Sequence, residues 1–204
     1  MKLQTSGIIR FKEIFFKTWL LLATMGILTL GLSSPQAHAV VPGLIMDMDM
    51  CADHDDVADL YVACALANLG QVNLLGCISD TTNGGTALCM NAITTYFGMP
   101  NVPVGIAANS TAGYAYPQVI ANTFPHPLYA SYTQCPLGVN LYRQILAAQP
   151  NNSVIIVNTG FYTVMAALML SGSDQYSPLT GPQLIAQKVK LLVAVAGEFP
   201  WRQL

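Results

Sequence analysis

Short apolar runs alternate with segments of helical spacing from residue 43 onward. The apolar runs predict five strands, at residues 43–49, 72–79, 102–107, 153–158 and 189–195. Apolar side chains three and four positions apart predict helices at residues 55–69, 86–97, 137–149 and 160–170, and a further helix that ends at Lys188. Because the strands are almost continuously apolar, they predict a mostly parallel, Rossmann-like α/β sheet with helices on both faces.

Residues 108–136 interrupt this alternation. They are rich in Pro, Tyr, Asn, Ser and Thr and show no clear period. We therefore predict a long irregular segment, of the kind that is usually functional or mobile in a compact domain.

The first 39 residues have the order of a secretory signal peptide. Four basic residues precede an apolar run from Trp19 to Leu32, and Ala37-His38-Ala39 places small residues at the two positions that a signal peptidase reads. A membrane anchor is the alternative, but the run is shorter than the ~20 residues of a spanning helix. We expect a secreted or periplasmic protein, with residues 1–39 removed, residues 40–204 forming the domain, and no stable membrane span.

Acidic residues dominate the chain after the predicted leader. The whole chain carries a net charge of -2 and the leader +3, so the remainder carries -5. Six of its nine acids lie between Asp47 and Asp59. So few basic residues argue against a nucleic-acid partner, because phosphate binding needs a basic surface.

The five cysteines show no spacing typical of a zinc site. Cys64, for example, lies within an apolar helical face, and we interpret most of the cysteines as small buried hydrophobic residues. Export permits a disulfide, but the spacing does not indicate a pairing.

Polar residues stand at the ends of the predicted strands, where parallel sheets bind ligands. They are Asp47 and Asp49; Ser79, Asp80 and Asn83; Asn158 and Thr159; Gly197 and Glu198. The densest group is the stretch Asp47-Met48-Asp49-Met50-Cys51-Ala52-Asp53-His54-Asp55-Asp56. Crowded carboxylates raise one another's pKa, and a hard divalent cation such as Ca²⁺ removes that penalty. The stretch therefore predicts a metal or catalytic site.

Two other families use aspartates in a comparable way. An EF-hand loop that starts at Asp47 would need Gly at Ala52 and Glu at Ala58, and it has neither. A haloacid-dehalogenase-type phosphatase has Asp-x-Asp-x-Thr after its first strand, and here Cys51 replaces the Thr. The phosphatase remains an alternative.

The aspartate stretch more closely resembles the opening motif of the inosine/uridine-preferring nucleoside hydrolases. In that family a strand leads to Asp-x-Asp, a short loop and Asp-Asp at the start of a helix. Later segments fit in the same order, namely Thr82-Asn83-Gly84-Gly85, Val157-Asn158-Thr159-Gly160 and Val195-Ala196-Gly197. The likeness covers residues 43–200, although Phe161 stands where the family commonly has Pro.

The resemblance implies a Ca²⁺-dependent hydrolase that cleaves the N-glycosidic bond of a small-molecule ribonucleoside. Asp49 and Asp56 would bind the metal through carboxylates and Thr159 through its backbone carbonyl, and Asp49 would also accept a proton from the attacking water. Asp55 and Asn83 would hold ribose hydroxyls, and Asp47 would orient Asp49. A homo-oligomer stays open.

The sequence leaves four points open. Asp53 has no assigned role, and His126 is a candidate for protonating the leaving base, although a histidine without a catalytic role is the preferred interpretation. His54 is interpreted as a loop residue, because hard cations prefer oxygen ligands. The resemblance also implies a further ligand beyond Leu204, so a truncated, inactive homologue that binds metal or a ribosyl ligand is the alternative.

Overall fold

A computed structural model describes residues 41–50, 54–109 and 115–196 of the protein. The predicted leader, Cys51, Asp53 and Glu198 lie outside the described residues. No helix within these ranges is long and apolar enough to cross a membrane.

Five strands and six α-helices account for most of the described chain. The strands are β1 (Gly43–Met48), β2 (Asn73–Ser79), β3 (Val104–Ile106), β4 (Val154–Asn158) and β5 (Val189–Ala194). The helices are α1 (Asp55–Asn68), α2 (Gly84–Tyr96), α3 (Ala115–Thr123), α4 (Gly138–Ala148), α5 (Thr163–Leu170) and α6 (Gly181–Lys188), with a 3-10 turn at Tyr132–Gln134.

All neighbouring strands pair in parallel, in the order β3-β2-β1-β4-β5. The central strand β1 is buried along its whole length, because helices cover both of its faces. The predicted α/β fold with a parallel sheet is therefore confirmed.

The sheet separates two hydrophobic cores. On one face α1 and α2 pack Leu60, Cys64 and Met90 against Met46 and Met48 of β1. On the other face the core is formed by residues of α4, α5 and α6 with inward side chains of β1 and β4, including Leu141, Ile145, Leu168, Leu184, Ile45 and Ile156. Apolar burial on both faces explains why the strands lack the alternating pattern of a half-exposed sheet.

The prediction that residues 108–136 are irregular was wrong in part. Helix α3 and the 3-10 turn lie inside this segment. Pro117 stands in the first turn of α3, where a proline is tolerated because that turn leaves its N–H groups unpaired. A side chain at Gly85 of α2 would meet the backbone nitrogen of Gln118 at 2.7 Å, so α3 lies directly against α2.

Helix α5 begins at Thr163, three residues later than predicted from Gly160. Gly160 packs its backbone against the end of β1, and a Cβ atom there would lie 2.6 Å from the Asp49 nitrogen. Strand β3 is likewise shorter than predicted, since the strand begins only after Pro103, which has no N–H for the sheet.

The cysteine interpretation is confirmed for four of the five residues. Cys64, Cys77, Cys89 and Cys135 are all buried with free thiols. Each behaves as a small apolar side chain in the core around α1, α2 and β1.

Candidate active site at the carboxyl edge of the sheet

The aspartate stretch lies where β1 and β4 run side by side. From β1 the chain continues to β2 on one side, and from β4 it continues to β5 on the other. Open α/β sheets form their ligand crevices at such switch points, outside the carboxyl ends of the strands. Here the backbone N–H of Thr159 donates a hydrogen bond to the carbonyl of Asp47 (2.9 Å), which brings Thr159 beside Asp49.

Asp56 connects the three predicted metal-binding positions. Its Oδ2 accepts hydrogen bonds from the backbone N–H groups of Met50 (2.6 Å) and Asp49 (3.1 Å). Its Oδ1 accepts a hydrogen bond from the Thr159 hydroxyl (2.5 Å). Asp49, Asp56 and Thr159 therefore belong to one hydrogen-bonded group.

Helix α1 positions this carboxylate. Asp56 stands in the first turn of α1, where the positive end of the helix favours negative charge, and only 2% of the residue is exposed. Burial raises the pKa of Asp56, hydrogen bonds from Thr159 and Met50 lower it, and the charges of Asp49 and Asp55 raise it. Met50, whose N–H binds Asp56, has a positive φ of 47°, a left-handed conformation that is uncommon for a residue other than glycine.

The two predicted ribose-binding residues occupy different positions around this group. Asp55 is exposed, and its Oδ1 accepts a hydrogen bond from the backbone N–H of Asp56 (3.0 Å). Asn83 follows the β2 end and caps α2, where its Oδ1 accepts a hydrogen bond from the Gly85 N–H (3.1 Å). Asp55 is thus adjacent in sequence to the hydrogen-bonded group of Asp49, Asp56 and Thr159, whereas Asn83 is positioned by the neighbouring helix.

Asp47 points away from this group into a second, buried polar cluster. The Tyr142 hydroxyl donates a hydrogen bond to Asp47 Oδ2 (2.6 Å), and both side chains are fully buried. Asp80 and Asn158, also fully buried, lie close enough to Asp47 for hydrogen bonding to lower its pKa. Within the described residues, nevertheless, no partner with full hydrogen-bond geometry is present for Asp47 Oδ1, Asp80 Oδ2 or the two polar side-chain atoms of Asn158. We interpret the Asp47–Asp80 contact as a carboxyl–carboxylate pair that shares one proton, since two ionised oxygens have no hydrogen to donate.

Sequence reasoning placed Asp80 and Asn158 at strand ends but assigned them no role, and it missed Tyr142. No local sequence signal indicated this cluster, because the register that aligns Asp47 with Asn158 and Met48 with Ser79 is set only when the sheet forms. The contact from Tyr142 spans 95 positions and leaves no local pattern.

No family model and no curated protein matches the chain. Solved structures do match it. The effector protein XOO4466 and the type III effector protein XopQ, the latter complexed with adenosine diphosphate ribose, each superpose with a TM-score of 0.57 at 18% identity. The plant nucleoside hydrolase PpNRh1 superposes with a TM-score of 0.50 at 15% identity.

The chain has a nucleoside hydrolase-like fold. The three superpositions cover 82%, 83% and 78% of this chain but 46%, 46% and 49% of the respective neighbours. The chain thus spans just under half the length of each. At these identities the likeness establishes the fold alone.

The donor atoms at the carboxyl edge of the sheet are of the kind that a hard cation prefers. Asp49, Asp56 and Thr159 offer only oxygen atoms, which Ca²⁺ prefers. Asp49 and Asp55 also place negative charge beside the buried Asp56, which a cation would neutralise. No group of three or more His, Cys, Asp or Glu side chains converges as a metal site within the described ranges. A cation held by Asp49, Asp56 and Thr159 would therefore need further ligands.

His126 and His54 differ in their contacts. His126 Nδ1 lies 2.8 Å from the carbonyl oxygen of Tyr129 in its own segment, which fits the preferred interpretation of a histidine without a catalytic role. His54 precedes α1 and its ring packs against the ring of Tyr116 from α3, with a centroid distance of 4.4 Å. The sequence did not indicate this aromatic contact, because α3 itself was not predicted.

The buried acid pair predicts an unusual dependence of stability on pH. Burial, and then the charge of Asp47, raise the pKa of Asp80 far above its ordinary value, so the folded protein keeps a proton that the unfolded chain releases. The free energy of unfolding that this proton contributes is fully present below the ordinary carboxyl pKa of 3.8. It is lost as the pH rises from there toward the raised pKa of Asp80. In EDTA, Asp80→Asn should therefore be more stable than wild type by about 1–3 kcal/mol near pH 8, because its amide donates to Asp47 without a titrating proton.

Urea unfolding of both proteins at several pH values checks this prediction. The difference in unfolding free energy should grow from about pH 5 to about pH 8. A difference that is constant with pH, or a variant that is less stable at every pH, would contradict the shared proton.

Proposed function

We propose that the protein is a Ca²⁺-dependent nucleoside hydrolase, which cleaves the N-glycosidic bond of ribonucleosides to give free base and ribose. One observation carries the proposal. Asp49, Asp56 and Thr159, which the family resemblance implies as metal-binding positions, form one hydrogen-bonded group at the switch point of the sheet. The nucleoside hydrolase-like fold supports this reading over the phosphatase alternative.

The proposed chemistry needs few groups. Water attacks C1′ of the ribose, the C1′–N bond breaks, and its electron pair leaves with the base, which takes up a proton. Asp49 is proposed to accept the proton of the attacking water. The transition state is an oxocarbenium-like sugar, and the carboxylates of Asp49, Asp55 and Asp56 stabilise its positive charge.

The remaining residues bind and orient. Asp55 and Asn83 are proposed to accept hydrogen bonds from the ribose hydroxyls, which fixes the sugar in one orientation. Thr159 is proposed to contribute its backbone carbonyl to the cation, while its hydroxyl holds Asp56 in place. Ca²⁺, when bound, would supply positive charge that offsets the crowded acids and makes water more acidic.

A ribosyl-binding protein without hydrolysis is the second candidate. The type III effector protein XopQ was solved in complex with adenosine diphosphate ribose, and the chain covers less than half of that structure. The same acids and Asn83 would then hold a ribosyl group without cleaving it.

Two assays on the full chain separate these candidates. Base release from inosine and uridine is followed in Ca²⁺ and in EDTA, and binding of ADP-ribose and ribose is measured by calorimetry under both conditions. Ca²⁺-dependent release supports the hydrolase, whereas Ca²⁺-dependent binding without release supports the second candidate. If the folded protein neither cleaves nor binds these compounds, both candidates fail.

A further inference from the structure

One buried tyrosine hydroxyl has no hydrogen-bond partner within the part of the chain that the structure describes. The Oη atom of Tyr116 is buried and makes no hydrogen bond with any described residue, while its ring packs against the core that includes residues of α1, α2 and β1. Buried hydroxyl groups are normally paired, because losing water without gaining another partner costs free energy. An unpaired one therefore calls for a physical explanation.

The surroundings of Tyr116 are strongly acidic. Burial raises the pKa of its hydroxyl, and the charges of Asp56, Asp49 and Asp55 raise it further. The group therefore remains protonated at neutral pH and is available as a donor. The His54 ring, which directly precedes Asp55 in the chain, packs on the Tyr116 ring and holds it across from the start of α1.

We propose that Tyr116 donates a hydrogen bond to a sugar hydroxyl of a bound ribosyl ligand. The inference rests on the proposed function and adds a residue to its binding site. A sugar hydroxyl can donate its hydrogen to a carboxylate and accept a hydrogen bond from a phenol at the same time. The hydroxyl oxygen of a ribosyl group bound by the aspartates therefore provides the hydrogen-bond acceptor that Tyr116 lacks. A metal ion alone provides no acceptor.

Tyr129 provides a matched control on the same segment of the chain. Its hydroxyl is also in the core but accepts a hydrogen bond from the Val104 N–H (3.2 Å), which ties the segment to β3. Tyr116→Phe and Tyr129→Phe remove the same atom from an unpaired and from a paired site.

The experiment measures ADP-ribose and ribose affinity by calorimetry, and thermal unfolding without ligand, for wild type and both variants. Tyr116→Phe should weaken ADP-ribose binding about five- to tenfold, the effect of one hydrogen bond, with unchanged or higher thermal stability. Tyr129→Phe should lower the unfolding temperature and leave the affinity unchanged, because its hydroxyl has a structural partner.

The outcomes distinguish this inference from the proposed function. If wild type binds ADP-ribose or ribose and Tyr116→Phe binds equally well, the inference is wrong while the proposed function stands. If Tyr116→Phe loses stability as Tyr129→Phe does and keeps its affinity, the hydroxyl is structural. If wild type binds neither compound and cleaves no nucleoside, the proposed function fails and the inference fails with it.

Discussion

Replacement of Asp56 by alanine should abolish Ca²⁺-dependent activity and Ca²⁺-dependent stabilisation of the protein. The carboxylate is a proposed cation ligand, and it also accepts hydrogen bonds from Asp49, Met50 and Thr159. Its removal leaves the loop after β1 and the Thr159 hydroxyl without their shared acceptor. We therefore also expect a loss of about 1–3 kcal/mol of unfolding free energy in EDTA, since hydrogen bonds to charged groups contribute this much.

Asp56→Asn separates the structural role of the side chain from its charge. An asparagine oxygen still accepts the two backbone hydrogen bonds, so stability in EDTA should fall less than in Asp56→Ala. Ca²⁺ affinity should nevertheless drop more than about 100-fold. Residues that only hydrogen-bond to a metal ligand already contribute ~10–100-fold to metal affinity, and loss of a ligand's charge should cost more.

Thermal unfolding across a Ca²⁺ titration measures both effects, since a ligand that binds only the folded state raises the unfolding temperature with concentration. Asp49→Ala should likewise lose the Ca²⁺ response and the activity. A Ca²⁺ response that survives in Asp56→Asn and in Asp49→Ala would overturn the proposed metal site.

Arg143→Ala should cause the largest loss of stability, about 3–5 kcal/mol, because it removes a buried guanidinium together with its ion pair and several further hydrogen bonds. Only 2% of Arg143 is exposed. Its guanidinium donates to both carboxylate oxygens of Asp174 (2.6 and 3.0 Å) and to the Ser171 hydroxyl (2.8 Å). It also donates to the carbonyls of Ser177 (3.2 Å) and Leu179 (2.8 Å).

This arginine attaches the connection between α5 and α6 to helix α4. Without it, buried carbonyl groups in that connection lose their donor. Arg143→Lys should recover only a small part of the lost stability, because an ammonium group cannot form the two-pronged contact with Asp174.

Chemical unfolding of wild type, Arg143→Ala, Arg143→Lys and Asp174→Ala in EDTA checks the prediction. Asp174→Ala is the matched comparison, and it should cost less because its side chain is 28% exposed while Arg143 keeps its other acceptors. If Arg143→Ala costs no more than about 1 kcal/mol, the range of an ordinary surface change, the anchoring role is wrong.

Local sequence patterns were sufficient for the strands and for most helices. Each strand is a short apolar run that ends in polar or turn residues, and β1, β2, β4 and β5 were predicted to within about two residues. Helix α3 was missed because its position depends on close contact with α2 at Gly85 rather than on a strong pattern of its own. Intrinsic helix propensity has little influence where tertiary packing supplies most of the stability of a helix.

The sequence by itself determined the class of fold, since continuous apolar strands require a parallel sheet covered on both faces. It also determined that several carboxylates crowd the end of the first strand. Only the tertiary structure decided which residues meet there. Thr159 reaches Asp56 across 103 positions and Tyr142 reaches Asp47 across 95. Such contacts follow from strand order and register, which arise from the packing of the whole chain and leave no trace in the spacing of neighbouring residues.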